Sequence, residues 1–164
     1  LPAYLVDVGF MARKAEELGF ESFWCAEHPF VPVHSTSRYQ GAADGVIPES
    51  YAHFIDPFVA LARAAGMTTR IKLATGIVLV PERHPLLLAK EVSTLDLFSG
   101  GRFLFGIGAG WLREETQIMG GDYRDLIRRL RDAGANRVIV RPPTVKTESE
   151  MAAGLTRIAE AVLR

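Results

Sequence analysis

The chain has 164 residues, of which 48% are hydrophobic and 23% are charged, and its 19 basic and 19 acidic side chains balance. This composition is typical of one globular domain, and it favours neither a nucleic-acid partner nor an anionic membrane surface. No apolar run reaches the roughly 20 residues of a membrane-spanning helix, and the start lacks the basic region of a secretory signal. With a single cysteine, Cys25, the chain is predicted to be cytoplasmic and free of internal disulfides.

Helical and extended patterns alternate along the chain. Apolar residues at helical spacing before Gly19 predict a first helix, and the apolar, aromatic run over 22–26 is typical of a strand buried on both faces. Asp56 and Pro57 have the residue types of an N-cap and a first helical turn. In chain order, the predicted elements are a helix over 5–18, a strand over 22–26, a helix over 57–65, a strand over 70–80, a helix over 85–99, a strand over 102–108, a helix over 123–133, a strand over 137–140 and a final amphipathic helix over 148–164.

This alternation predicts an α/β protein in which helices cover parallel strands. A doubly wound sheet and a (β/α) barrel both satisfy the pattern. Four strands are predicted, whereas a closed barrel has eight. The sequence therefore fits either a small open sheet or about half of a barrel. Residues 29–55 form a long connection without periodicity, and such connections are usually functional or mobile.

Glu27 and His28 follow the first predicted strand directly. Ligand sites concentrate at the carboxyl ends of parallel strands, and a carboxylate beside an imidazole can orient the ring for proton transfer. The pair is therefore a candidate catalytic site. The structural alternative is that Glu27 pairs with an arginine and that His28 packs under the long connection.

Thr75, Gly76 and Ile77 form a second candidate, inside the strand predicted over 70–80. A glycine within a buried strand often marks a bulge or the close approach of a ligand to the backbone. The alternative is that Gly76 makes room for a bulky neighbour.

The third candidate is the run of alternate glycines at Gly106, Gly108 and Gly110. A dinucleotide-binding fingerprint needs a further glycine where Trp111 stands, and no helix is predicted immediately after it, so a phosphate loop is disfavoured. A ligand lying against bare backbone is the favoured interpretation, and a crowded barrel centre is the alternative. Alternation predicts two faces: one of Leu104 and the three glycines, and one of Phe103, Phe105, Ile107 and Ala109, which packs on helices.

Metal and nucleophile chemistry are not predicted. The histidines at 28, 34, 53 and 84 match no compact metal-ligand spacing. Cys25 lies inside an apolar strand, where a cysteine is usually a small buried hydrophobe. We expect no metal site, and a metal-dependent barrel hydrolase ranks last among the functions considered.

Three stretches, “GFESFWCAEHPFVP” over 19–32, the run over 56–115 and “AGANRVIV” over 133–140, resemble the bacterial luciferase-like monooxygenase family. The nearest branch is the oxidoreductases that use coenzyme F-420. The resemblance implies a (β/α)8 TIM barrel, incomplete in this sequence, as one domain over 1–164. It also implies further segments before about residue 5 and near 121–123.

The resemblance implies coenzyme F-420 as cofactor, with FMN as the alternative, at the carboxyl ends of the strands. It implies a bulge with a non-prolyl cis peptide at Gly76-Ile77 behind the ring. It also places Trp111 where some deazaflavin dehydrogenases carry a proton-donating glutamate. The implied catalytic residues are Glu27 and His28, and the implied cofactor-binding residues are Glu27, Thr75, Gly76, Ile77, Gly106, Gly108, Ala109, Gly110 and Trp111.

The function expected from the resemblance is hydride transfer between F-420 and a small organic substrate, in a homodimer or higher oligomer. One alternative is FMN-dependent monooxygenation. Another, from a different class, is a non-catalytic truncated barrel that serves binding or oligomerisation.

Overall fold

A computed structural model describes residues 6–121 together with residues 147 and 149. The predicted helix over 123–133 and strand over 137–140 lie outside the described residues, as does the final helix apart from residue 149. Within the described part, no helix combines the length and the apolar character that crossing a membrane requires.

Residues 6–121 contain four α-helices and five short strands, in the predicted alternating order. The strand predicted over 70–80 is divided into two, and so is the strand predicted over 102–108. The elements are α1 Val8–Glu17, β1 Ser22–Cys25, α2 Pro57–Ala65, β2 Lys72–Thr75, β3 Val78–Leu79, α3 Pro85–Ser99, β4 Phe103–Leu104, β5 Ile107–Gly108 and α4 Arg113–Ile118, with 3-10 turns at Glu49–His53 and Val80–Glu82.

Local side-chain chemistry explains where the first helices begin. The Asp7 carboxylate accepts a hydrogen bond from the backbone N–H of Phe10, and the Asp56 carboxylate accepts one from Val59. Each satisfies an N–H that has no partner within its own helix. The predicted N-cap at Asp56 is confirmed.

All strand pairs in the described part are parallel. The order β1-β2-β4 forms one sheet, in which Cys25 pairs with Thr75 and Leu73 with Phe103, and β3 pairs with β5 beyond it. Neighbouring strands thus follow chain order, as they do in a (β/α) barrel. The α/β class is confirmed, but the described residues form an open sheet and no closed barrel.

The helices pack on one face of this sheet. Leu61 of α2, Leu73 of β2 and Val78 of β3 lie in the same core, with no exposed surface. On the other face Trp24 is 55% exposed. The helices therefore bury one face of the strands and leave the carboxyl ends and the second face accessible.

The predicted alternation of faces along residues 103–110 is only partly correct. Phe103 packs against Phe58 of α2, with ring centroids 6.1 Å apart. Phe105, expected on the same face, lies beside Phe103 with ring centroids 6.1 Å apart, but it is exposed and not packed under a helix. Alternation requires a continuous strand, and this one is interrupted between Leu104 and Ile107.

Glu16 links α1 to the segment that enters β2. Its carboxylate accepts hydrogen bonds from the backbone N–H groups of Thr69, Arg70 and Ile71, at 2.6–3.2 Å. These bonds, foremost the one from Ile71, lower the pKa of Glu16 to about 2. The ionised carboxylate therefore stabilises the entry to the central strand.

We predict that Glu16→Gln destabilises the protein by about 1–2 kcal/mol at neutral pH, because hydrogen bonds to a charged acceptor become neutral ones. Since the folded pKa is below the ordinary value of 4.5, the contribution is present above pH 4.5 and is lost as pH falls towards about 2. Urea unfolding across this range measures it. Glu17→Gln is the control, because the ion pairs of Glu17 with Arg13 and Lys14 lie at the surface. Equal losses in the two variants would contradict the role given to Glu16.

Candidate active site

The structure brings the three predicted segments together at the carboxyl ends of the strands. The N–H of Gly76 donates to the carbonyl of Cys25 at 2.7 Å, and the N–H of Val78 donates to the carbonyl of Gly106 at 2.9 Å. The N–H of Leu79 donates to Oε2 of Glu27 at 2.6 Å. The first two contacts join backbone groups only, and the third uses the Glu27 carboxylate, so the three segments are hydrogen-bonded to one another at the strand ends.

Gly76 and Ile77 lie between β2 and β3, and the peptide bond joining them is cis. The cis bond that the resemblance implies at this step is therefore present. Ile77 is 37% exposed, although Thr75 and Val78 on either side are fully buried. The six-membered part of the Trp24 indole lies beside Gly76, where a Cβ would be 3.0 Å from Cε3. The result is an accessible apolar surface formed by Ile77 and Trp24.

Contacts within the chain account for the alternate glycines. A Cβ at Gly106 would collide with the carbonyl oxygen of Thr75, and one at Gly108 would collide with Cδ1 of Ile77. Gly110 has φ +79°, which side chains other than glycine rarely adopt. Backbone crowding at Gly106 and the φ angle at Gly110 therefore require glycine, whereas at Gly108 the collision is with the flexible end of the Ile77 side chain. A ligand against this backbone stays a prediction.

Thr75 is fully buried and is used to join β2 to the segment after β4. Its Oγ1 accepts from the N–H of Gly106 at 2.9 Å and donates to the carbonyl of the same residue at 2.8 Å. Ala109 is half-buried between β5 and Trp111. Thr75 is a predicted cofactor-binding residue, but its hydroxyl is hydrogen-bonded within the protein, to Gly106.

The Glu27 carboxylate, 5% exposed, is neutralised by Arg83. Its Oε1 accepts from Nε of Arg83 at 2.9 Å and also from the Nη2 group. The same guanidinium reaches Asp56 at 2.8 Å and Glu91 at 2.9 Å. This is the arginine pairing considered as the structural alternative, and with Leu79 it occupies both oxygens of Glu27.

His28 is buried and has a different partner, Glu115 of α4. Its Nδ1 lies 2.8 Å from Oε2 of Glu115, which has no exposed surface. Among the described residues, no hydrogen-bond partner is found for Nε2 of the ring. Neighbouring Glu27 and His28 therefore belong to separate hydrogen-bond networks. Both oxygens of Glu27 are bonded within the protein, whereas Nε2 of His28 is left to bond a ligand.

Sequence reasoning missed α4 and with it Glu115. The expectation that no helix follows Trp111 is wrong, because α4 begins at Arg113. The helix is six residues long and has no side-chain N-cap bond, so the usual signals for a helix start are lacking. The two acidic residues in its first turn were the available signal.

The long connection folds over His28 as an aromatic cluster. The ring centroid of His28 lies 5.0 Å from that of Tyr51 and 5.8 Å from those of Phe54 and Trp111. Tyr39 contacts both Tyr51 and Trp111. Trp111 thus connects the segment after β5 to the long connection and covers one side of the histidine.

Glu114 attaches the same connection to α4. Its Oε1 accepts from the backbone N–H and the hydroxyl of Thr36, both at 2.8 Å, and from the N–H of Ser37 at 3.2 Å. Hydrogen bonds from Ser37 and Thr36 hold the pKa of Glu114 well below its ordinary value. An ionised Glu114 therefore orders residues 35–37 beside the site.

Glu82 is a third buried carboxyl at this end of the sheet. Its Oε1 accepts from the Thr116 hydroxyl at 2.8 Å. Burial, with smaller contributions from the charges of Glu115 and Glu27, raises the pKa of Glu82 to about 7. Oε2 of Glu82 and Oε1 of Glu115 are both buried without a hydrogen-bond partner. A proton on Glu82 relieves the cost of burying these charges together.

Two other predictions concern metal and thiol chemistry. Among the described residues, no group of three or more potential ligands is arranged to hold a metal ion. Cys25 is buried, and burial raises the pKa of its thiol to about 11. That environment disfavours the thiolate that a nucleophile needs.

Comparisons with known proteins identify relatives of the chain. The family model described as luciferase-like monooxygenase matches residues 3–135. Limonene 1,2-monooxygenase of Rhodococcus erythropolis is 34% identical over 123 residues, covering 75% of this chain and 27% of that protein. The chain spans less than half the length of the curated relatives it matches.

Solved structures agree with this relationship. A monooxygenase from Streptomyces bottropensis is 27% identical, with a TM-score of 0.60 over 85% of this chain and 40% of that one. The coenzyme F-420-dependent tetrahydromethanopterin reductase of Methanopyrus kandleri is 28% identical, with a TM-score of 0.50 over 73% of this chain and 27% of that one. The fold is thus shared with both oxygenating and F-420-dependent enzymes.

We predict that Glu82→Gln removes a pH-dependent loss of stability. Because the folded pKa of Glu82 is raised from 4.5 to about 7, its contribution is fully present below pH 4.5 and is lost as pH rises through 7. The free energy of unfolding of the variant, relative to that of the unaltered chain, should therefore increase across this window. Glu114→Gln, whose carboxyl has the opposite shift, should change only at lower pH. A difference for Glu82→Gln that does not vary with pH would refute this assignment.

We predict that Arg83→Met destabilises the protein by about 3–5 kcal/mol, because it leaves the buried Glu27 charge without its cation. Chemical denaturation measures the loss. Arg63→Met is the matched control: Arg63 pairs with Asp7 at 3.1 Å at the surface, where loss of an ion pair costs below about 1 kcal/mol. Similar costs for the two variants would show that Glu27 does not depend on Arg83.

Proposed function

The chain belongs to the luciferase-like monooxygenase family, and from this premise we propose that it forms the coenzyme and substrate end of an oxidoreductase that transfers hydride between coenzyme F-420 and a small organic molecule. The observation that carries the proposal is the accessible apolar surface of Ile77 and Trp24 at the strand ends that also carry the buried His28-Glu115 pair. Enzymes of this architecture place their chemistry at these strand ends.

A flavin-type ring fits the residues present. The ring is flat and largely apolar, and it needs an apolar support that is open on one side. Ile77, exposed between two buried strands, supplies such a support, and Trp24 extends it. When bound, the ring supplies the hydride-accepting or hydride-donating carbon.

The chain's own groups have separate tasks in this proposal. Ile77 and the backbone from Gly106 to Trp111 support the coenzyme. Nε2 of His28 accepts or returns the proton that accompanies hydride transfer. Glu27, with its oxygens bound to Leu79 and Arg83, positions the segment that carries His28.

A second candidate is FMN-dependent monooxygenation. The observation that favours it is that the Streptomyces bottropensis relative is a monooxygenase. The resemblance adds that Trp111 takes the place of a proton-donating glutamate of some F-420-dependent dehydrogenases. The third is a non-catalytic barrel fragment used for binding or oligomerisation. A homo-oligomeric assembly and a cytoplasmic location belong to the proposal for the whole protein.

We expect the intact chain to bind F-420 when it is titrated with F-420 and FMN separately and coenzyme fluorescence is followed. Ile77→Asp should weaken binding at least about tenfold, because a charge replaces the apolar support. Val59→Asp is the control, because Val59 is a 73% exposed residue on α2, and it should leave binding unchanged.

The same titration separates the candidates. Binding of FMN without F-420 would replace the primary proposal with the monooxygenase. Binding of neither coenzyme would favour the non-catalytic fragment. If Ile77→Asp and Val59→Asp weaken coenzyme binding equally, Ile77 does not contact the coenzyme.

A further inference from the structure

Three consecutive side chains at the start of α4 hold three different segments around the strand ends. Glu114 binds residues 36 and 37, Glu115 binds His28, and Thr116 binds Glu82. Of these contacts, only that of Glu115 reaches the ring in which the proposed function places proton transfer. The geometry of that contact determines which ring nitrogen carries the proton.

A neutral imidazole has one N–H nitrogen and one acceptor nitrogen, and the hydrogen bond at one nitrogen selects the state of the other. An ionised carboxylate only accepts hydrogen bonds. With Oε2 of Glu115 at 2.8 Å, the proton of neutral His28 therefore lies on Nδ1, and Nε2 carries the lone pair.

The two buried carboxyls differ in the donors that they meet. Oε1 of Glu82 already accepts from Thr116, whereas Oε2 of Glu115 has His28 as its donor. Among the described residues, the Thr116 hydroxyl is the sole hydrogen-bond partner of Glu82, which has no ring N–H as donor. A proton in this cluster is therefore accommodated on Glu82, which leaves Glu115 as the acceptor.

We propose that Glu115 is a positioning residue, which holds neutral His28 with its proton on Nδ1 so that Nε2 faces a ligand as a proton acceptor. The use of Nε2 towards a substrate rests on the proposed function, whereas the state of the ring does not. This assigns a role to a residue on an element that sequence patterns did not predict. It also distinguishes Glu115 from Glu114, its neighbour of the same charge.

The test is nitrogen NMR of the intact chain labelled with 15N-histidine, at a pH where the ring is neutral. The chain has four histidines, and the signals that disappear in His28→Gln identify the ring. In the unaltered chain we expect the Nδ1–H tautomer of His28. Glu115→Met should lose that signal in favour of the Nε2–H form, because it leaves Nδ1–H without its acceptor, and Glu115→Asp should retain part of the signal because it keeps a carboxylate.

Glu114→Gln is the matched control, and it should retain the Nδ1–H signal because Glu114 makes no contact with the ring. An Nε2–H tautomer in the unaltered chain would overturn the proposal, and so would an unchanged tautomer in a folded Glu115→Met. If Glu115→Met does not fold, the tautomer in the unaltered chain is the deciding result. The measurement needs no coenzyme, so a failure to bind F-420 or FMN would count against the proposed function and leave this result standing.

Discussion

The Glu27 carboxylate is buried just after β1, and without a compensating partner it would lower the stability of the fold by several kcal/mol. Its two oxygens are met by the N–H of Leu79 and by Arg83. Arg83 in turn contacts Asp56, the N-cap of α2, and Glu91 of α3. One buried charge thus requires β1, β3, α2 and α3 to lie in a fixed arrangement, and the candidate site is built on the strand ends that this arrangement aligns.

A second set of contacts encloses the site from the other side. The first turn of α4 binds the long connection through Glu114, the histidine through Glu115 and the 3-10 turn after β3 through Thr116. Each partner is distant in sequence, so these bonds form only when the strands are already in place. Because a helix of six residues is marginal by itself, we infer that α4 is stabilised by these contacts as much as it stabilises them.

Local chemistry made part of this structure predictable. The N-cap at Asp56 follows from residue types that act within one turn, and the position of Glu27 and His28 follows from the end of an apolar strand. The cis peptide at Gly76-Ile77 came from the resemblance to a family. Contact of Glu27, His28, Gly76 and Ile77 with a coenzyme stays a prediction. Other features depend on distant partners: Glu115 meets His28 across 87 positions, and no local pattern records such a pair. At the interruptions of the two longer predicted strands the contacts are likewise between distant residues, since Thr75 binds Gly106 and the Ile77 side chain lies beside Gly108.

Adjacent residues thus acquire different roles through the direction of their side chains in the fold. Glu27 and His28 are neighbours, yet one meets the guanidinium of Arg83 and the other the carboxylate of Glu115. Glu114 and Glu115 have identical side chains, yet the first orders a surface segment and the second is buried against an imidazole. Their environments differ accordingly: backbone and hydroxyl donors hold Glu114 ionised, whereas the donor that Glu115 meets among the described residues is the ring itself. The strand-end pair that the sequence suggested as a catalytic unit is therefore better described as two units. Glu27 joins the strands and helices through Arg83, and His28 with Glu115 presents Nε2 as a proton acceptor.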